Sequence, residues 1–180
     1  LTRTPVEAEQ GRLNTLVGAD DATFAEIEPV LRGFCENVFH IGAVGSAHAL
    51  KLVNNFIAIG TAALCAEAVV ACKKLGVEPK KLHELGSVGA MNSGIFQLVV
   101  GGAAEGDYTK MKFALKNAAK DVRYLVQTTT DAQLAGVMIA AVNQSLNQAI
   151  GLGFGAPDKM LPSVVEAQAQ LNGVDLTPAR

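Results

Sequence analysis

From Ser46 to Lys74 the chain runs about 29 residues without a proline, and a helix of that span would be about 43 Å long. Ser46 can cap its start, and Lys73 and Lys74 followed by Gly76 suit its end. Ala, Leu, Ile and Val occupy almost every face, so such a helix must be sheathed by other helices or by a partner subunit. Its uncharged stretch, Leu52 to Ala66, is short for a membrane span and holds two asparagines, which argues against a bilayer crossing. Lys51, Asn54 and Asn55 stand out against this background. A lysine buried there without a partner would be costly, so the polar trio needs a reason.

Either side of this helix the texture differs. Before it, "LNTLVGA" (13 to 19) and "NVFHIG" (37 to 42) read as short strands. Between them lies a helix with Asp20 or Asp21 as N-cap and Phe24, Ile27, Val30 and Leu31 at helical spacing. Strand, helix, strand is half of a parallel layer, too small to cover its own faces, and it reads as the tail of a larger α/β domain. After it the pattern is helical throughout: 78 to 89, 93 to 106, 109 to 131, about 133 to 150, and about 159 to 172, with "GLGFGAP" (151 to 157) as a linker. The expected fold is therefore α+β and mainly α, with a boundary near residue 43 and an all-α domain over 44–180. The chain opens on Leu1 in what resembles mid-domain sequence, which reads as a piece of a longer protein.

Charge narrows the partners. A formal net charge of −2, few aromatics and no Trp give no footprint for nucleic acid or a membrane surface. Cys35, Cys65 and Cys72 are odd in number and lack CxxC spacing; they read as reduced core thiols of a reducing, cytoplasmic compartment. No metal is expected, since His40, His48 and His83 have no ligand spacing near these thiols.

Lys51 and Asn55 are four residues apart and share a helix face, with Asn54 about 60° from Lys51. In a cleft, the ammonium could give a proton to a developing alkoxide while the amide holds a neighbouring oxygen. Burial would lower the lysine pKa towards neutrality, which suits a general acid or base. The alternative is a lysine that snorkels to solvent. Gly42 and Gly45 precede the helix and allow close backbone approach, or simply a turn. Lys112, Lys116 and Lys120, with Arg123 beside them, form a cationic stripe, either solvated or facing an anion. Thr2, Arg3 and Thr4 combine hydroxyls with a bidentate cation, a clamp suited to a carboxylate or sulfonate.

In this order the pieces resemble the C-terminal part of the β-hydroxyacid dehydrogenases, the family of 3-hydroxyisobutyrate dehydrogenase. "PVEAEQGRLNTLVGAD", "HIGAVGSAHALKLVNN" and the Lys120-Asp121-Val122 triplet carry the resemblance. It implies that residues 1–43 close a Rossmann NAD(P)-binding domain and that 44–180 form the substrate and dimerisation domain. It also implies roles: Lys51 as proton donor and acceptor, Asn55 and Asn54 on substrate, Gly45 and Ser46 shaping the pocket, Lys120 and Asp121 at the cofactor. NAD or NADP, a small anionic hydroxyacid or semialdehyde, and a homo-oligomer follow as expectations.

Two departures qualify the resemblance. No GxGxxG unit is present, so the segment alone should bind the dinucleotide poorly. Thr2, Arg3 and Thr4 stand where the family usually has Ser-Gly-Gly, which is more similar to sulfolactaldehyde reductase and hints at a sulfonate or a second anionic group. The rival expectations are a 6-phosphogluconate dehydrogenase-like decarboxylase and a non-catalytic dimerisation or reader module.

Overall fold

The apolar strand "LNTLVG" pairs with "CENVFHIG" as a two-stranded parallel sheet, β1 (Leu13–Gly18) beside β2 (Cys35–Gly42). The structure is a computed structural model that describes residues 1–2 and 5–177, the side chains of 5 and 6 excepted. A short helix, α1 (Pro5–Glu9), precedes β1, and α2 (Asp21–Leu31) connects the two strands. Asp20 is the N-cap of α2, its carboxylate accepting from the Thr23 N–H at 2.8 Å. Phe24 of α2 stacks on His40 of β2 with ring centroids 4.3 Å apart, fastening the helix to the sheet.

The long helix forms as its sequence requires, α3 (Ser46–Lys74). Its end is a Schellman motif: Gly76 takes φ +77°, Val77 N–H reaches Cys72 O at 2.8 Å and Gly76 N–H reaches Lys73 O. Its start differs from expectation. Gly45, at φ +96°, is the cap, because its carbonyl accepts the first intrahelical bond from Ala49 N–H. Ser46 is already helical, and its Oγ is buried without a partner. The membrane expectation also needs correcting: by length and composition alone α3 is long and apolar enough to cross a bilayer. Counting only Leu52 to Ala66 understated it, since the helix continues beyond that run at both ends. Ile59, Ala62, Ala66 and Val69 are instead buried in a protein core.

The remaining helices are α4 (Pro79–Ser87), α5 (Gly94–Glu105, with a π turn at Gln97–Gly101), α6 (Leu115–Asp131), α7 (Val137–Ala149, extended by a π turn at Ile150–Phe154) and α8 (Val164–Asn172). Helix α6 begins six residues later than its pattern suggests. The backbone before it is committed elsewhere: Ala114 bridges Met160, Leu115 N–H donates to Lys159 O, and Leu161 N–H donates to Phe113 O at 2.7 Å. Lys112 therefore stands off the helix and outside the expected cationic stripe. Likewise "GLGFGAP" is no plain linker, since its first residues prolong α7 to Leu152 before Gly153, at φ +96°, breaks the helical run.

By packing the chain divides into two compact units, 1–54 and 55–180, and the division falls inside α3. The first unit buries Thr15, Val17, Ala19, Cys35 and Ala47. Here the Gly18 backbone is packed so closely that a Cβ would lie 2.8 Å from Ala43 O. The second unit builds its core from α3, α5, α6, α7 and α8, including Val99, Leu115, Val122, Leu146 and Val165, all essentially without exposure. All three cysteines are free thiols, and burial raises the pKa of Cys65.

Candidate functional site

Within the first unit, the antiparallel bridge between Thr2 and Asn14 brings the chain start beside β1, with Thr2 N–H donating to Asn14 O at 2.8 Å. This creates a pocket of about 210 Å³ lined by Thr2, Asn14, Leu16, Phe39, Leu50 and Asn54. Two of the residues singled out in the sequence, Thr2 and Asn54, thus share one cavity. Asn14 belongs to it as well, with its Oδ1 accepting from Asn37 Nδ2 at 2.9 Å. Sequence reasoning missed Asn14, although an asparagine inside an apolar strand is a signal of the same kind as Asn54 inside the apolar helix. Arg3 and Thr4 lie outside the described residues.

Gly45 and Ser46 are not in the lining of this pocket. They form the turn from β2 into α3, where the Ser46 Oγ lies against the backbone of Gly18 and Gly42. Lys51 is half-buried on α3, one turn before Asn55, and its ammonium has no ion-pair or hydrogen-bond partner among the described residues. A cation held at a partly dry surface without a carboxylate is available to a ligand, and an α-helix puts i and i+4 side chains on one face.

The second unit connects two stretches of sequence that lie far apart. Asn55 Nδ2 donates to Asp121 Oδ2 at 2.7 Å across 66 residues of chain. Asp121 is buried, its side chain 12% exposed, and its Oδ1 is 3.1 Å from Lys120 Nζ. Lys120 in turn lines a groove of about 460 Å³ together with Lys116, Asn117, Ala119 and Arg123 of α6, Asn147 of α7 and Ile150. The Lys116 and Arg123 cations face no carboxylate among the described residues, so the groove is net positive; Arg123 lies 5.5 Å from the Tyr124 ring. This wall suits an anionic ligand such as a dinucleotide, whereas a glycine-rich phosphate loop is not part of the sequence. Asn117 and Asn147 went unnoticed in the sequence, because their place depends on the packing of α6 against α7.

Comparison with known proteins gives a consistent picture. A family model described as "NAD-binding of NADP-dependent 3-hydroxyisobutyrate dehydrogenase" matches residues 45–162. The 2-(hydroxymethyl)glutarate dehydrogenase of Eubacterium barkeri is 28% identical over 175 residues, covering 94% of this chain and 56% of its own. Glyoxylate/succinic semialdehyde reductase 2, chloroplastic, of Arabidopsis thaliana is 29% identical over 160 residues, 89% of this chain and 44% of its own. The chain thus spans about half the length of these curated relatives. Among solved structures, Mycobacterium tuberculosis 3-hydroxyisobutyrate dehydrogenase with L-serine superposes with a TM-score of 0.77 at 20% identity, over 89% of this chain and 56% of that one. At that identity the likeness is one of fold.

Proposed function

This chain belongs to the 3-hydroxyisobutyrate dehydrogenase family, and on that premise we propose that it serves an NAD(P)-dependent oxidoreductase acting on a small β-hydroxyacid or the matching semialdehyde. The observation that carries this reading is the 2.7 Å hydrogen bond from Asn55 to Asp121, which gathers Asn55 and the Lys120–Asp121 pair, 66 residues further along the chain, into one polar cluster. In this reading residues 1–43 close the NAD(P)-binding domain, and 44–180 form the substrate and dimerisation domain.

NAD or NADP supplies the hydride donor or acceptor when bound, and the groove cations Lys116, Lys120 and Arg123 are the residues here that would meet its negative charge. The rest falls to the chain's own side chains. In reduction the Lys51 ammonium gives a proton to the oxygen that was the carbonyl; in oxidation the neutral amine takes that proton back. Asn55 is a further substrate contact in this reading. Thr2 and Asn54 receive the acid end of a molecule of a few carbons in the 210 Å³ pocket; the guanidinium chemistry of Arg3 suits a sulfonate or second carboxylate on the same substrate.

The test is NADH and NADPH turnover, with the protein at its full natural length, against two- to four-carbon semialdehydes bearing carboxylate, sulfonate or phosphate. Lys51→Ala should lower kcat by about 10²–10⁴-fold, the usual range for removing a general acid. Equal rates in both proteins would overturn Lys51 as the proton carrier, and silence across the panel would favour a non-catalytic module.

A further inference from the structure

Two residues in the later half of α3 carry opposite charges, and both stand unpaired. Glu67 and Lys74 have no ion-pair or hydrogen-bond partner among the described residues. They share a helix face but lie about 10 Å apart along it, beyond the three- or four-residue spacing at which such pairs close. Both line a cavity of about 340 Å³ between α3 and α8, with Val70 and Ala71 between them and Gln168 and Asn172 opposite. Its polar wall is poorly satisfied. Gln168 is only 8% exposed, yet its amide holds no short bond: Nε2 reaches Ser145 Oγ at 3.3 Å, and Oε1 meets Asn172 Nδ2 at 3.5 Å. Asn172 Nδ2 gives its short bond, 2.8 Å, to the Gln168 carbonyl, and Asn172 Oδ1 has no partner among the described residues. A buried amide held so loosely carries a cost that a ligand can relieve. The cavity shares no residue with the cationic groove, and Glu67 lies about 18 Å along α3 from Asn55.

We propose that this cavity binds a small zwitterion whose ammonium and carboxylate sit at opposite ends of a short carbon chain, an ω-amino acid. Its ammonium meets Glu67, its carboxylate meets Lys74, and its methylenes cross Val70 and Ala71. The Gln168 and Asn172 amides take the hydrogen bonds left over at the two ends. A simple anion is repelled by Glu67 and a simple cation by Lys74. An α-amino acid carries both charges at one end, so it reaches one residue of the pair at a time. The site is apart from the dehydrogenase reading and stands whether or not Lys51 carries protons.

The probes are 6-aminohexanoate and its isomer norleucine, equal in mass and in both charges and different in how far apart the charges stand. They are titrated at low salt into the full chain, with hexanoate beside them, while the Gln168 side-chain amide is followed by NMR. 6-Aminohexanoate should bind about tenfold more tightly than either of the others, the worth of one charge-assisted hydrogen bond, and added salt should weaken it. Glu67→Lys and Lys74→Glu each leave two like charges and should lose that preference. The double swap restores opposite charges at the same spacing, so the ligand lies the other way round and the tenfold preference returns. Both positions are exposed, and the swaps leave the core untouched. Ala71→Leu, which fills the middle of the cavity and keeps both charges, should abolish binding. Equal binding of the two isomers, no binding of either, or a double swap no better than the single variants overturns the proposal. So does a change in the sedimented mass of the single variants with no compound bound, since the pair then serves a contact between copies of the chain.

Discussion

Gly18 has little in common with a turn glycine. Its need is space, because Ala43 O would stand 2.8 Å and Ser46 Oγ 3.1 Å from a Cβ there. A backbone carbonyl cannot rotate away as a side chain can, so Gly18→Ala should destabilise the chain by about 1–3 kcal/mol, the usual cost of overpacking. Urea unfolding checks this, with a lower midpoint and an unchanged slope as the expected result. At this scale the sequence was partly legible. Lys51, Asn54 and Asn55 were visible because polarity inside an apolar helix is conspicuous. That Asp121 also meets Asn55 was not legible, because the bond crosses 66 residues and spacing within one segment carries no record of such a contact. Asn14 and Phe39 escaped for the same reason, since the pocket they share with Thr2 and Asn54 exists only once β1 and β2 have paired.

Elements were read best where their ends carry their own chemistry. Helix α3 stops where Lys73, Lys74 and Gly76 stop it, and α2 starts at Asp20. That cap carries a pH dependence. The Thr23 N–H and hydroxyl, which donate to the Asp20 carboxylate at 2.8 and 3.0 Å, hold its pKa below the ordinary carboxylate value. A depressed folded-state pKa means that the carboxylate stabilises the fold above its unfolded value. The contribution then fades as pH falls through the folded one. Asp20→Asn, which keeps an acceptor but does not titrate, should therefore flatten the acid limb of the Tm–pH curve below about pH 4 and change little at neutral pH. An unchanged acid limb would show that Asp20 has the same pKa in the unfolded chain. Where tertiary pairing claims the backbone, element ends were not legible. The bridge from Ala114 to Met160 delays α6, and no helical propensity in "TKMKFA" could announce it.

For the whole molecule the open question is what covers α3. Its core-facing residues Ile59, Ala62, Ala66 and Val69 are buried, yet Val53, Ile57 and Leu64 are exposed, Ile57 at 63% and Leu64 at 67%. Such a row of large apolar side chains along one helix is unfavourable in water. A bilayer would satisfy it by length and composition, but membership of a dehydrogenase family and the polar trio Lys51, Asn54 and Asn55 argue for protein. We therefore expect two copies to associate through this row, each offering the same face to the other. Ile57→Lys together with Leu64→Lys places charges in that contact while leaving the buried side of α3 untouched. Sedimentation should find the wild type at twice the chain mass or more and the double variant at the chain mass, with helical content retained. If the wild type sediments as a single chain and floats with lipid vesicles, the row faces a bilayer instead, and the reading of α3 as a dimer strut is lost.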